Sequence, residues 1–102
     1  MSCEAVKLTI TGVVQGVGFR PFVYREACSH QLTGWVLNTV EGVIVHAEGE
    51  SDNIDAFILA LSEQAPAAAQ VKKITIKEVP LEGYDHFEIH FQKMRSHALL
   101  LL

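Results

Sequence analysis

Positive charge is scarce in this chain. Eight Lys and Arg stand against twelve Asp and Glu, a formal net charge of −4. Such a balance leaves no basic face for non-specific binding to nucleic acid or to a membrane surface. Any anion must therefore be held by a local site. Cysteine is also scarce. Cys3 and Cys28 are the only two, too few for a disulfide framework and not in C-x-x-C spacing. No early stretch joins a basic start to an apolar run, so no secretory signal is expected and the thiols read as reduced, in a cytoplasmic protein. No run of about 20 apolar residues occurs, which excludes a membrane-spanning helix. The five histidines are scattered. His86 and His90 are four apart but flank the strand-like F-E-I, so they are expected to share a face of a strand. Zinc-ligand spacing is lacking, and neither a metal nor another cofactor is expected.

What the chain does have is apolar residues, 49% of 102, enough for one packed domain. It also has one concentrated motif. Residues 14 to 20 read V-Q-G-V-G-F-R, between a strand-like and a helix-like run. Gly16 and Gly18 let the backbone turn sharply and let a ligand approach closely. The helix that follows offers unpaired N–H groups and a positive dipole end. Arg20 adds a planar donor fork suited to phosphate oxygens. The motif reads as a phosphate cradle built from Gly16, Gly18, the helix start and Arg20. It is neither a Walker loop, since no Lys-Ser or Lys-Thr follows, nor a full G-x-G-x-x-G, since Pro21 stands where the third glycine belongs. The alternative is a tight loop shaped by Gly12, Gly16 and Gly18, with Arg20 paired to a surface carboxylate.

Periodicity orders the rest. Val6, Leu8 and Ile10 alternate with Lys7, Thr9 and Thr11, a half-buried strand. A helix is predicted over 20–32, with Pro21 in its first turn and Thr33-Gly34 breaking it. A short strand runs from Trp35 to Leu37 and ends at Asn38. Glu41-Gly42 reads as a hairpin turn, and a third strand carries Val43, Val45 and Ala47 until Gly49. Ser51 or Asp52 caps a second helix, whose stripe is Ile54, Phe57, Ile58 and Leu61. A fourth strand spans Lys73 to Val79, with Ile74 and Ile76 inward. A last one carries Phe87, Ile89 and Phe91. The order is β-α-β-β-α-β with one short extra strand. The economical arrangement is an α+β ferredoxin-like sandwich, an antiparallel sheet with two helices on one face. One domain over 1–92 is expected, then a C-terminal tail, 93–102, outside the pattern.

A cradle needs a second polar group facing it, and Asn38 is the candidate. Asparagine is uncommon after three apolar strand residues, although it also favours turns. The joint pattern V-V-Q-G-V-G-F-R, then G-W-V-L-N, then E-G-V-I-V-H-A-E-G, resembles the acylphosphatase family from about residue 5 to about residue 92. The resemblance implies the ferredoxin-like fold and a metal-independent hydrolysis of acyl phosphates to a carboxylate and inorganic phosphate. It implies that Arg20 and the N–H groups from Gln15 to Phe19 bind the phosphoryl oxygens. Asn38 is implied to hold the attacking water. Proline directly after the arginine, and P-L-E-G-Y-D-H-F-E-I downstream, look more like the acylphosphatase-like N-terminal domain of the hydrogenase-maturation carbamoyltransferase. That variant implies carbamoyl phosphate as substrate and further domains in a longer parent chain. A small freestanding enzyme is the alternative. A non-catalytic anion-binding or regulatory module would not need both Arg20 and Asn38. An RNA-binding sheet would want exposed aromatics where this chain has Thr9, Thr11 and His46. A copper carrier would want a cysteine pair in the first loop, where this chain has glycines.

Overall fold

A computed structural model describes residues 2–91. The expected tail, and the expected domain end at 92, lie outside the described residues. The elements are β1 (Cys3–Val13), α1 (Phe19–Ser29), β2 (Thr33–Thr39), β3 (Gly42–Glu50), α2 (Ser51–Glu63), β4 (Gln70–Val79) and β5 (Phe87–His90). The five strands form one sheet in the order β4-β1-β3-β2-β5. This is the ferredoxin-like βαββαβ arrangement with β5 added beyond β2. Three of the four pairings are antiparallel. The fourth corrects the expectation of a wholly antiparallel sheet, because β5 runs parallel to β2. The cause is the 80–86 link, which carries the chain from the β4 edge to the opposite edge, so that β5 enters the sheet in the direction of β2.

Both helices cover one face. The register aligns Leu8 with Val45 and Ile10 with Val43, and Val36 with Val45. These side chains pack against Phe19, Phe22, Val23 and Ala27 of α1 and Ile54, Phe57 and Leu61 of α2. Burying each large apolar side chain contributes about 1.5–3 kcal/mol. On the open face, Lys7 and Thr9 stand across from Lys77 and Thr75. Among the described residues, no helix is long and apolar enough to cross a membrane.

Several boundaries move. Helix α1 stops at Ser29, short of Thr33-Gly34, because a Schellman turn closes it. Leu32 N–H reaches Ala27 O, and Gln31 N–H reaches Cys28 O. Gln31 takes the left-handed position, φ 60°, where glycine is usual. Strand β2 therefore starts at Thr33 and runs through Asn38 to Thr39. The hairpin turn falls on Val40 and Glu41, one residue earlier than expected, since Gly42 already pairs with Thr39. Strand β3 does not stop at Gly49; it continues to Glu50, which directly precedes α2. Neither Ser51 nor Asp52 caps that helix with its side chain.

The sheet's lower end is tied off by one carboxylate. Glu48 points to the open face yet is 5% exposed, and His46 beside it is 4% exposed. Glu48 accepts hydrogen bonds from the N–H groups of Glu82, Gly83 and Tyr84, which holds the 80–86 link against the sheet. His46 Nε2 lies 2.7 Å from Glu48 Oε2. A carboxylate only accepts, so this nitrogen carries the proton. Burial pushes the Glu48 carboxyl up, but the His46 bond and the three backbone donors outweigh it and hold the group below its ordinary value of 4.5. Trp35 stacks between the rings of His46 and His90 and donates to the Tyr84 hydroxyl.

Candidate active site

Topology brings four chain ends to the other end of the sheet. Strand β1 leaves there at Val13, β2 and β5 finish there, and α1 begins there. The connecting loop alternates anchors and gaps. Val14 and Phe19 are buried and Val17 packs against the core, while Gln15, Gly16 and Gly18 are exposed. Gly16 and Gly18 both have positive φ, 74° and 78°, and Val17 between them does not. A Cβ on either glycine would meet open space, so backbone conformation and not crowding calls for glycine there. An alternation of positive and negative φ is the backbone pattern that can turn successive N–H groups into an anion-binding nest.

Helix α1 begins directly at the end of this loop. Its N-cap is Gly18, no side chain caps it, and its first turn holds no acidic residue. Helix starts normally recruit a Ser, Thr, Asp or Asn oxygen. Here, among the described residues, no side chain caps the orphan donors, a helix start suited to an external anion. Pro21, third in the helix, lacks an N–H that would have been orphaned anyway. Gly12, grouped with the loop glycines by sequence, lies inside β1 at a register shift against β4.

Arg20 is the second helical residue and half-buried. It forms no ion pair among the described residues, so the surface-carboxylate alternative fails. Its Nη1 donates to the carbonyl of His90 at 3.3 Å, and its Cζ lies 4.9 Å from the centre of the Phe91 ring. His90 pairs with Leu37 on β2, so the guanidinium is seated beside the strand position that precedes Asn38. On the other flank, Gln15 Nε2 donates to Thr39 O at 2.6 Å, which ties the cradle to the residue after Asn38. Asn38 thus lies between the two attachments. It shares the helix-side face of β2 with Val36, and its register partner Val43 is fully buried. Asn38 Oδ1 is itself buried and has no hydrogen-bond partner among the described residues. A buried acceptor left unpaired costs about 1–3 kcal/mol, and one in this state can accept a hydrogen bond from a bound molecule.

Sequence reasoning missed three participants. The Gln15 side chain is a tie as well as a cradle residue. Its long-range partner leaves no local signal. His90 and Phe91, read only as strand alternation, seat Arg20. That role depends on the parallel β2–β5 pairing, which sequence periodicity does not reveal. A cavity of about 320 Å³ adjoins the cradle between Gln15 and the hairpin residues Val40 and Glu41. A similar hollow at Ser2, Glu50 and Asp52 carries carboxylates and no cation, so it is unsuited to an anion.

The side chains of His86 and His90 are engaged elsewhere. His86 and His90 do share a face, each bonded to Glu88 between them. The His90 bond, then the His86 bond, hold the Glu88 carboxyl below its ordinary value. Among the described residues no group of three or more His, Cys, Asp or Glu is arranged to hold a metal. Cys3 and Cys28 are free and exposed.

Comparison with known proteins agrees with this geometry. A family model described as Acylphosphatase matches residues 6–89. The acylphosphatase of Syntrophotalea carbinolica is 41% identical over 88 residues, covering 84% of this chain and 95% of that protein. The carbamoyltransferase HypF of Rhizobium leguminosarum bv. viciae is 43% identical over 84 residues, covering 82% of this chain but 11% of that protein. The crystal structure of full-length HypF in the phosphate- and nucleotide-bound form superimposes with a TM-score of 0.85 at 38% identity, over 87% of this chain and 12% of HypF.

Proposed function

The chain belongs to the acylphosphatase family, and from that premise we propose that it hydrolyses the carboxyl–phosphate bond of acyl phosphates, with carbamoyl phosphate as its substrate. The supporting observation is the pairing of an uncapped, glycine-curled helix start bearing Arg20 with the unpartnered acceptor of Asn38. In this reading the N–H groups of residues 15–19 and the Arg20 fork bind the phosphoryl oxygens. Asn38 Oδ1 accepts a hydrogen bond from water and aims its oxygen at phosphorus, in line with the leaving carboxylate. The new P–O bond forms as the acyl oxygen–phosphorus bond breaks. The electron pair leaves on the carboxylate, and the water proton passes to phosphate or solvent. A carboxylate is a good leaving group, so no general acid is required. Positioning and charge stabilisation supply the rate.

The choice of carbamoyl phosphate is supported by Pro21 directly after the arginine and by the likeness to HypF. As part of a HypF-like protein this chain would be one domain of several; as a freestanding enzyme it would act alone.

Phosphate release from carbamoyl phosphate and from an aromatic acyl phosphate, with chelator present, tests the reading. We expect metal-independent turnover by the wild type. Asn38→Ala should lower kcat by about 10²–10³-fold with KM little changed. Arg20→Ala should raise KM as well as lower kcat. Turnover surviving Asn38→Ala would refute the water-holding role. Tight phosphate binding with no turnover of either substrate would instead indicate an anion-binding module.

A further inference from the structure

We propose that Phe91 is a positioning residue for Arg20: its ring holds the guanidinium in place without neutralising it. The inference rests on Arg20 being the phosphate ligand of the proposed reaction. Arginine is long, and fixing it costs rotamer entropy of about 2 kcal/mol. Here it is fixed twice. Nη1 donates to His90 O at 3.3 Å, and the cationic carbon lies 4.9 Å from the Phe91 ring centre, inside the roughly 6 Å range of a cation–π contact.

The identity of the two supports matters. A carboxylate at this place would hold the guanidinium more tightly, but it would cancel the charge that a phosphate needs and compete for the same N–H donors. A carbonyl and an aromatic face are neutral. They orient the fork, use one of its five donors, and leave the charge intact. No carboxylate among the described residues approaches Arg20 within ion-pair distance.

Burial separates this role from packing. Phe87 and Ile89, four and two positions earlier on the same side of β5, are part of or packed against the core. Phe91 follows the end of the strand and is 75% exposed. A phenylalanine so placed adds little to the core, and what it does meet is the guanidinium. The ring is therefore removable without unfolding the protein, which makes the proposal testable.

The experiment compares wild type with Phe91→Ala, Phe91→Leu, Phe91→Tyr and Arg20→Ala. It measures inorganic phosphate affinity by titration, kcat and KM on an acyl phosphate, and thermal unfolding. Phe91→Ala should weaken phosphate and raise KM by about two- to five-fold, the size of an exposed cation–π contact, with the melting temperature unchanged. Phe91→Leu, which keeps apolar bulk but no π face, should resemble Phe91→Ala, and Phe91→Tyr should restore wild-type values. Wild-type phosphate affinity in Phe91→Leu, or losses that track a lowered melting temperature, would overturn the proposal. If Arg20→Ala abolishes phosphate binding while every Phe91 variant is normal, only this inference fails. If Arg20→Ala itself binds phosphate normally, the reading of the site beneath it fails too.

Discussion

The two ends of the sheet solve the same electrostatic problem in opposite ways. At the lower end, the N–H groups of Glu82, Gly83 and Tyr84 converge on the chain's own anion, Glu48, which is buried and further bonded to His46. At the upper end, the glycine loop of residues 15–19 leads into the start of α1, which no side chain caps among the described residues. Both ends gather backbone donors. One is closed by a residue of the sequence, and in the proposed function the other receives the phosphoryl group. A protein can thus make a structural clamp or an anion site from the same peptide groups, depending on whether it supplies the carboxylate itself.

The largest way to break this comparison is to disable the open end. The losses expected for Asn38→Ala and Arg20→Ala, two to three powers of ten in kcat for the first, should come with little change in melting temperature. Breaking the closed end should do the reverse. Glu48→Gln leaves at least one backbone donor poorly satisfied, and should cost about 1–3 kcal/mol in denaturant unfolding while turnover of an acyl phosphate persists. A Glu48→Gln variant of wild-type stability would show that the clamp is incidental.

The closed end also has a pH signature. The Glu48 carboxyl sits below 4.5 in the folded chain, so the unfolded chain takes up its proton first as pH falls. Its stabilisation is complete above about pH 4.5, and it is lost as pH drops through the lower folded value. Trp35, which donates to Tyr84 on the clamped link, reports on this by fluorescence. An acid transition in that signal, absent in Glu48→Gln, is expected. The smallest effect sharpens the open end. Gly18→Ala should cost roughly 1–2 kcal/mol, because Gly18 has φ 78° and an alanine resists the left-handed region. Stability measured with and without saturating phosphate separates strain from ligand loss. A smaller gain from phosphate in the variant would show that the curl serves binding.

Legibility in the sequence followed the range of the interactions. The alternations of β1 and β3 and the stripe of α2 are local patterns, and the elements formed where periodicity put them. The glycine loop was legible because glycine before a helix is a local conformational statement. The structure brings Arg20 and Asn38 to one end of the sheet, as the expected fold allowed. What was hidden is non-local. His46 and Glu48 alternate like a solvent-facing pair, and only the link crossing over them makes them buried. Phe91 looks like a third inward strand residue, but it lies past the end of β5 and is exposed. The Schellman turn at Gln31 escaped because a glutamine stands in the position that glycine usually marks.

The rims of the sheet carry a last consequence. A free strand edge invites pairing with another chain. The β5 edge is four residues long, and its outward face presents His86, Glu88 and His90, already bonded to one another. The opposite rim, β4, carries Lys72, Lys73, Lys77 and Glu78 within ten residues. A neighbouring molecule approaching either edge would have to strip water from charged groups before it could add a strand. Short length and charge at the rims thus work against sheet-to-sheet association, while the apolar alternations of β1 and β3 are kept in the interior of the sheet.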